Sequence, residues 1–507
     1  MSGEGSFNSP FIKKYKTKNY SYIYDINTNR ILQVDSTIFE IIDHIYSLSG
    51  DEILTRFQGR FDPANIRRAL DEITKLSKER KLFSSTRPQG CIHKHTHGEL
   101  LENIRSNIRM ITLNVTEKCN LRCRYCQYSA SNDYSRRPLN RNMGRQVAFK
   151  AIDFLFEHSS SVEEEALFLC FFGGEPLLNM PLIKDSIRYA KDLFKKKNLR
   201  LSLTTNGTLL KSEVLKFFAE ERVALMISLD GSEAIHDFNR TAGENKGTHA
   251  LIMDNVRALS KYQDYFRKYV AFNVVIAPPY DLQGRKAFFL RYPEYFRYDN
   301  LTTTYVYAYD AKYREIVNSN ANVDELKRNH RWLLDSLKKG IMARKKADIV
   351  FELKLYDRML RKIHTRRTYD TLGDEFTLSS ICIPGQNRPF VDVDGNIFMC
   401  EKSDNQIPLG NVEYGLNIRR IEQLINEYLN LCTEDCCNCW ALRLCDVCHI
   451  WGVQGDRINA KKKRDMCVDF RDTAEKYLII YSEFMENDGQ GMDFLVSWER
   501  TENVFFA

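Results

Sequence analysis

RMITLNVTEKCNLRCRYCQY, residues 109–128, carries an apolar strand straight into three closely spaced cysteines. Residues 109–116 have the near-continuous apolar character of a strand covered on both faces. Cys119, Cys123 and Cys126 then follow as C-x3-C-x2-C in the loop at the strand's C-terminal end. Three thiolates this close suit three corners of a cubane iron–sulfur cluster, and a fourth iron without a protein ligand stays open to a small molecule. Structural zinc takes four ligands, and no further His or Cys follows at a suitable distance. An open coordination position on a metal centre marks chemistry rather than scaffolding.

The same pattern repeats outward from this stretch. Strands are predicted over 166–174, 199–207, 223–231 and 268–277, with helices over 142–158, 181–197, 211–221 and 247–262 between them. Apolar strands alternating with helices imply a parallel sheet covered on its faces. About six such units over residues 108–310 make an α/β fold of the partial (β/α)6 barrel type, whose ligands belong at the C-terminal ends of the strands.

Those ends carry further motifs. Gly173-Gly174-Glu175-Pro176 closes the second strand, Thr204-Thr205-Asn206-Gly207 the third and Ser228-Leu229-Asp230-Gly231 the fourth, with His236-Asp237-x-x-Arg240 just beyond. Each alone is most often a turn; four in register after successive strands are not a coincidence. Together with the triplet, including the aromatic Tyr125 before its last cysteine, they resemble the radical S-adenosylmethionine (radical SAM) enzymes. The resemblance implies that the open iron chelates SAM and that one electron from the cluster cleaves it to a 5′-deoxyadenosyl radical, which takes a substrate hydrogen. It further implies that Gly173, Gly174 and Glu175 meet the SAM amino group. Thr205 and Asn206 then meet its methionyl or ribose part, with Asp230 closing the fourth strand. Ser228 touches the ribose, and Arg240 reaches the carboxylate with its bidentate guanidinium.

A second cysteine zone occupies 381–470 and holds nine of the fourteen cysteines. Cys382-x12-Gly395-x4-Cys400 comes first, then Cys436-x2-Cys439-x5-Cys445-x2-Cys448, then Cys467. This resembles the SPASM domain, which carries two auxiliary [4Fe–4S] clusters, with one departure: two residues rather than three separate Cys445 from Cys448. The resemblance implies an outer cluster on Cys436, Cys439, Cys445 and Cys467 and an inner one on Cys382, Cys400 and Cys448. The inner cluster then either has an open iron, to which a substrate thiolate binds, or takes its fourth ligand from Cys432, Cys437 or Cys91. Glu401, directly after Cys400, stands where sulfatase-maturing relatives place a catalytic base; a solvated surface Glu is the plain alternative. Disulfides or zinc ribbons are the bland reading of the whole zone.

The rest of the chain bounds the partners. It has 507 residues, a net charge of +7, 43% hydrophobic and 28% charged residues, as an ordinary globular protein has. No apolar run reaches the ~18 residues of a spanning helix, and MSGEGSFNSPFIKKYKTKNY has no apolar signal core. A cytoplasmic protein without a membrane partner is expected, in which clustered thiols read as metal ligands. Residues 1–90 show a hairpin (20–26 and 31–35) followed by helical stretches at 37–48, 51–57 and 63–80, a winged-helix-like module. Its 14 Lys/Arg against 11 Asp/Glu, a balance of +3, are thin for nucleic acid. The order resembles the recognition element of enzymes that modify ribosomal peptides (RiPPs), which holds the precursor's leader as an added strand. Residues 91–107 read as a linker. Within the aperiodic stretch from 85 to 100, Cys91, His93, His95 and His97 are a possible metal set on what reads as a flexible surface tract. Residues 311–380 read as a helical bridge and 471–507 as a helix and tail.

The combined order resembles radical SAM peptide maturases. It implies three [4Fe–4S] clusters, SAM, a leader-bound precursor peptide and a reductant such as flavodoxin or ferredoxin, with an intramolecular thioether crosslink as product. Carbon–carbon or ether crosslinking, epimerisation and formylglycine formation are alternatives within the same chemistry. An iron–sulfur winged-helix regulator is the alternative outside it.

Overall fold

The computed structural model describes residues 9–126, 139–162, 165–306, 311–343, 349–368, 371–378, 381–403, 408–454 and 457–487. The first eight residues of the N-terminal module, the barrel segment directly after Cys126 and the end of the tail lie outside them. The chain opens with strands β1 (Ile12–Lys16), β2 (Ser21–Asp25) and β3 (Arg30–Val34), which form an antiparallel sheet in the order β1-β2-β3. The expected hairpin is β2–β3, and β1 is an extra strand on its other side. Helices α1 (Ser36–Ile41), α2 (Gly50–Phe57) and α3 (Pro63–Arg80) follow. Asp62 caps α3 and Pro63 occupies its first turn, where a missing N–H costs nothing. Ile23, Ile38, Ile53, Ile66 and Ile73 form a separate small core for this unit.

The stretch expected as a linker is ordered. Gly90–Ile92 is strand β4, and His97–Ser106 is helix α4, opened by a capping box in which Thr96 and Glu99 satisfy each other's backbone N–H. Cys91 is buried rather than part of a surface tract.

The barrel follows the expected alternation. Its strands are β5 (Met110–Thr116), β6 (Leu167–Gly173), β7 (Leu199–Thr205), β8 (Ala224–Ser228), β9 (Val270–Ile276) and β10 (Leu301–Tyr305). All are parallel and joined in sequence order. Between them run α5 (Arg145–Glu157), α6 (Met180–Leu193), α7 (Ser212–Glu221), α8 (Glu233–Asn239), α9 (His249–Leu259), α10 (Gln263–Tyr269) and α11 (Leu282–Arg291). Along β7, Leu201, Leu203 and Thr205 are buried while Arg200, Ser202 and Thr204 are half-buried: one side chain in two packs into the main core.

Helices α12 (Ala311–Val317), α13 (Asn320–Met342) and α14 (Val350–His364) form the bridge, and strand β11 (Glu375–Thr377) pairs parallel with β4. The cysteine-rich segment then joins the barrel directly. Its first strand, β12 (Phe390–Val391), pairs parallel with β5, so the sheet continues through β13 (Asn396–Phe398), β14 (Gly410–Asn411) and β15 (Gly415–Leu416) to ten strands. Gly395 makes the β12–β13 turn at φ +85°, a conformation open to glycine, and a Cβ there would meet Val412 at 2.9 Å. Helix α15 (Ile418–Cys436) and the long α16 (Ala460–Asn487) complete the chain. Helix α16 runs through the boundary expected near residue 470, so the cysteine-rich segment and the C-terminal helix share one element.

Candidate functional site

The cysteine loop is clamped at the C-terminal ends of the barrel strands. The Arg122 N–H donates to Thr241 O at 2.7 Å and the Arg124 N–H to Asn239 O at 2.9 Å, so the loop is fixed to the segment after β8. The Leu121 N–H points at the Cys119 sulfur, 3.4 Å away, and the Cys126 N–H closes a turn onto Cys123 O at 3.2 Å. None of the three is in a disulfide. Burial pushes Cys119 up to about 11, against the pull of the Leu121 N–H.

Beside the thiols stands a triad of buried Asp230 and Arg240 with half-buried Tyr125. Tyr125 donates its hydroxyl hydrogen to Asp230 at 2.5 Å and accepts from Arg240 Nη1 at 2.7 Å, while the other Asp230 oxygen accepts the Val275 N–H at 3.1 Å. Arg240 faces Cys123, and its Nε is buried without a partner. A buried guanidinium with a spare donor next to three thiols fits an anionic ligand such as a carboxylate.

Gly174 allows the second strand's loop to lie against the cysteine loop. A Cβ there would meet Lys118 O at 2.2 Å and Lys118 C at 2.6 Å. The Glu175 N–H donates to Lys118 O at 2.8 Å. Glu175 itself is fully buried, and its carboxylate is turned into the protein, accepting from Thr205 Oγ1 (2.7 Å), the Asn206 N–H (2.7 Å) and the Leu177 N–H (3.2 Å). Asn206 Nδ2 donates to Asn120 Oδ1 at 2.9 Å, and Asn120 Nδ2 to Thr208 Oγ1 at 2.8 Å. Asn120 and Thr208 therefore extend the predicted set; both lie one or two residues from its motifs. Ser228, at the end of β8, is buried.

The second cysteine zone separates into two groups. Cys382, Cys400 and Cys448 face one another. Cys448 is held below the usual thiol range, first by the Cys382 thiol donating to it and then by His449, whose Nδ1 lies 3.9 Å from its sulfur. Cys436, Cys439, Cys445 and Cys467 form the other group. Cys436 is lowered by the Cys432 thiol, one helical turn before it, and by Lys463. Cys382 is raised instead, by donating to Cys448 and by burial, and burial raises Cys400, Cys439, Cys445 and Cys467; clustered sulfurs of this kind suit soft metal centres. Among the described residues no three His, Cys, Asp or Glu side chains converge on a single ion position. Tetrahedral zinc draws its sulfurs to about 2.3 Å from one point; a four-iron cube spreads its thiolates over separate corners.

The spare cysteines sit with the outer group. Cys91 hydrogen-bonds to Cys437 and points at Cys432 O, 3.5 Å away. His97 pairs instead with Glu422 at 3.0 Å, so Cys91 and the three histidines do not come together. Glu401 pairs with Arg388 at 3.2 Å, and both face Cys170, a half-buried thiol in the middle of β6 whose sulfur lies 3.0 Å from Ser202 Oγ. Glu401 thus faces the barrel sheet rather than solvent. Tyr428 stands between the two thiol groups, its ring edge-on to His449 with centroids 5.9 Å apart.

Residues 113–288 match the Radical SAM superfamily. The chain is 29% identical over 160 residues to a cysteine-type anaerobic sulfatase-maturating enzyme of Clostridium novyi, across 31% of this chain and 41% of that protein. It is 22% identical over 255 residues to the radical SAM cyclopropyl synthase TigE of Paramaledivibacter caminithermalis, across 49% and 52%. The matches span about half the length of these curated relatives or less. The solved structure of anSMEcpe with bound AdoMet superimposes over 77% of this chain and 99% of its own, with a TM-score of 0.52 at 18% identity, which is a likeness of fold.

Proposed function

We propose that this chain, whose barrel matches the radical SAM superfamily, is a peptide-modifying enzyme that takes a hydrogen from a ribosomal precursor peptide and closes an intramolecular thioether. The observation that carries the reading is the disulfide-free C-x3-C-x2-C loop packed beside the Tyr125–Asp230–Arg240 triad, with a guanidinium donor unspent. Cys119, Cys123 and Cys126 would hold one [4Fe–4S] cluster. Cys436, Cys439, Cys445 and Cys467 would hold the outer auxiliary cluster and Cys382, Cys400 and Cys448 the inner one, which keeps an open corner because the spare cysteines lie with the outer group. When bound, the clusters supply electrons, one to split SAM into methionine and a 5′-deoxyadenosyl radical and an acceptor for the electron left after ring closure.

The protein's own groups have separable tasks. Arg240 binds the SAM carboxylate, oriented by Tyr125 and Asp230. The backbone at Gly173 and Gly174 lies close enough to the cysteine loop to bind the SAM amino group, and Glu175 holds the Thr205–Asn206 turn that frames the pocket. Glu401, facing the barrel sheet, accepts the proton of the peptide thiol as its sulfur bonds to carbon. The leader pairs with the edge of β3. Helix α16 covers the other side of the sheet through Tyr15–Ser482 and Lys13–Glu475, whereas β3 has β2 as its single strand partner among the described residues. Holding the leader there raises the local concentration of the core peptide at the barrel.

Anaerobic incubation of the reconstituted chain with SAM and dithionite tests the core of this reading: 5′-deoxyadenosine is expected, and none should form when Cys123 is Ala. No release from the wild type would end the proposal. Product class is tested on the short peptide encoded beside the gene: loss of one S–H and one C–H hydrogen with thiol blocking abolished indicates a thioether, and a cysteine-free core excludes it. The sulfatase-maturating relatives favour a second reading, oxidation of a Cys or Ser in a target protein to formylglycine. That activity would be indifferent to the β3 edge.

A further inference from the structure

The four outer thiols are ringed by cations that ligand spacing does not call for. Lys463, on α16, is 1% exposed. Its ammonium lies 3.4 Å from the Cys436 sulfur and 3.1 Å from Asp435 Oδ2. Burying an ammonium is unfavourable unless anions compensate it. Asp435 is shared, because Arg464 Nε also donates to that carboxylate at 3.0 and 3.1 Å, and Arg464 in turn reaches Glu434 at 3.7 Å. Two turns further along α16, Arg471 faces Cys439 and Cys467 and favours both thiolates. Lys463, Cys467 and Arg471 recur every four residues, so one helix face sets a thiol between two cations.

The inner group has a different surround. The cation facing Cys400 is Arg388, and it is paired with Glu401, which faces the same thiol with the opposite sign. The ring beside Cys448 is His449, whose Nε2 lies 3.1 Å from the Met399 sulfur. The outer group therefore sits in a positive surround and the inner group in a nearly neutral one.

We propose that Lys463 and Arg471 tune the outer auxiliary cluster, holding its reduction potential above that of the inner cluster so that electrons collect at the outer site. Each added electron makes a cluster more negative, and hydrogen bonds and positive charge at its sulfurs stabilise that reduced form. The inference rests on the reading that Cys436, Cys439, Cys445 and Cys467 hold an auxiliary cluster.

The test is a dithionite titration of the full-length, anaerobically reconstituted chain, followed by electron paramagnetic resonance and paired with iron analysis. The signal missing from Cys439→Ala identifies the outer cluster. In the wild type, with about twelve irons per chain, that signal is expected to reduce before the other auxiliary signal. Lys463→Gln at full iron content is expected to make it harder to reduce by at least tenfold in the one-electron equilibrium, about 59 mV. Arg471→Gln should move the same signal in the same direction, Lys463→Arg should restore most of the loss, and the inner signal should stay in place. Full iron with an unmoved outer potential in both glutamine variants overturns the proposal. If Lys463→Gln fails to assemble the cluster, Arg471→Gln decides alone by the same criterion. A wild-type count near four irons removes the outer cluster itself, and the tuning role with it.

Discussion

At the residue scale, the site rests on contacts too tight or too well satisfied to be altered quietly. Gly174→Ala would drive a methyl into the Lys118 carbonyl, and backbone cannot step aside as a long side chain can. The expected outcome is a folded chain that loses about four irons and releases no 5′-deoxyadenosine, read by iron analysis and chromatography. His330 offers a pH prediction. Its ring bridges Tyr305 and Tyr356, and burial lowers it to about 4. The unfolded chain, with a histidine near 6.5, then binds the proton first as pH falls, so this stability is complete above about pH 6.5 and is lost toward pH 4. The loss is at most about 2–3 kcal/mol, because the ring is only partly shielded. Urea midpoints should fall more steeply over that window in the wild type than in His330→Gln; parallel slopes would refute it. The first three thiols and the strand-end motifs were legible as sequence because each sits at a fixed offset from a strand end. Lys463 and Tyr428 were not, since nothing around them in the chain distinguishes a buried lysine or tyrosine from a surface one.

At the element scale, the first five barrel strands and helices α5, α6, α7 and α9 followed from periodicity to within a few residues, whereas α8, α10, α11 and β10 were not located. The misses share a cause. Strand β1, SPFIKKYK in its sequence context, carries lysines that read as surface, yet Lys13 and Lys14 reach Glu475 and Asp43 while Tyr15 turns inward. Strand β4 is three residues long and exists because β11, from nearly three hundred residues away, lies alongside it. The Thr96–Glu99 capping signature of α4 was present in a segment read as linker. Strand β12 has two residues, and its place beside β5 depends on Phe390, which is 1% exposed and meets Phe172 edge-on with centroids 6.2 Å apart. Phe390→Ala is expected to cost about 3–5 kcal/mol and to loosen the cysteine-rich segment from the barrel. Hydrogen exchange should show faster opening at β12 and β13; unchanged protection there would mean that the strand pairing alone suffices.

At the scale of the whole molecule, the N-terminal sheet is bolted to the rest rather than tethered. Arg443, between two outer-group cysteines in sequence, donates to Ile26 O at 2.8 Å and Asn27 O at 2.9 Å. Asn29 Nδ2 reaches Arg367 O at 2.9 Å, and Glu486 accepts from Thr17, Asn19 and Tyr22. Arg443→Ala leaves two buried carbonyls without that donor, at about 1–3 kcal/mol each. The expected readout is earlier proteolytic release of the N-terminal module; release at the wild-type rate would show that the other contacts carry the docking. The sequence by itself determined the local facts: which segments alternate as strand and helix, where the thiols fall relative to strand ends, and how the two cysteine zones are spaced. These are read from neighbours along the chain, where steric and hydrogen-bonding preferences act. Only the tertiary structure decided that β1 flanks the hairpin, that Cys91, Cys432 and Cys437 lie with the outer thiols, and that two cations of one helix face those thiols. Those depend on which distant surfaces the hydrophobic effect buries against each other, and burial has no signature in a chain read one residue at a time.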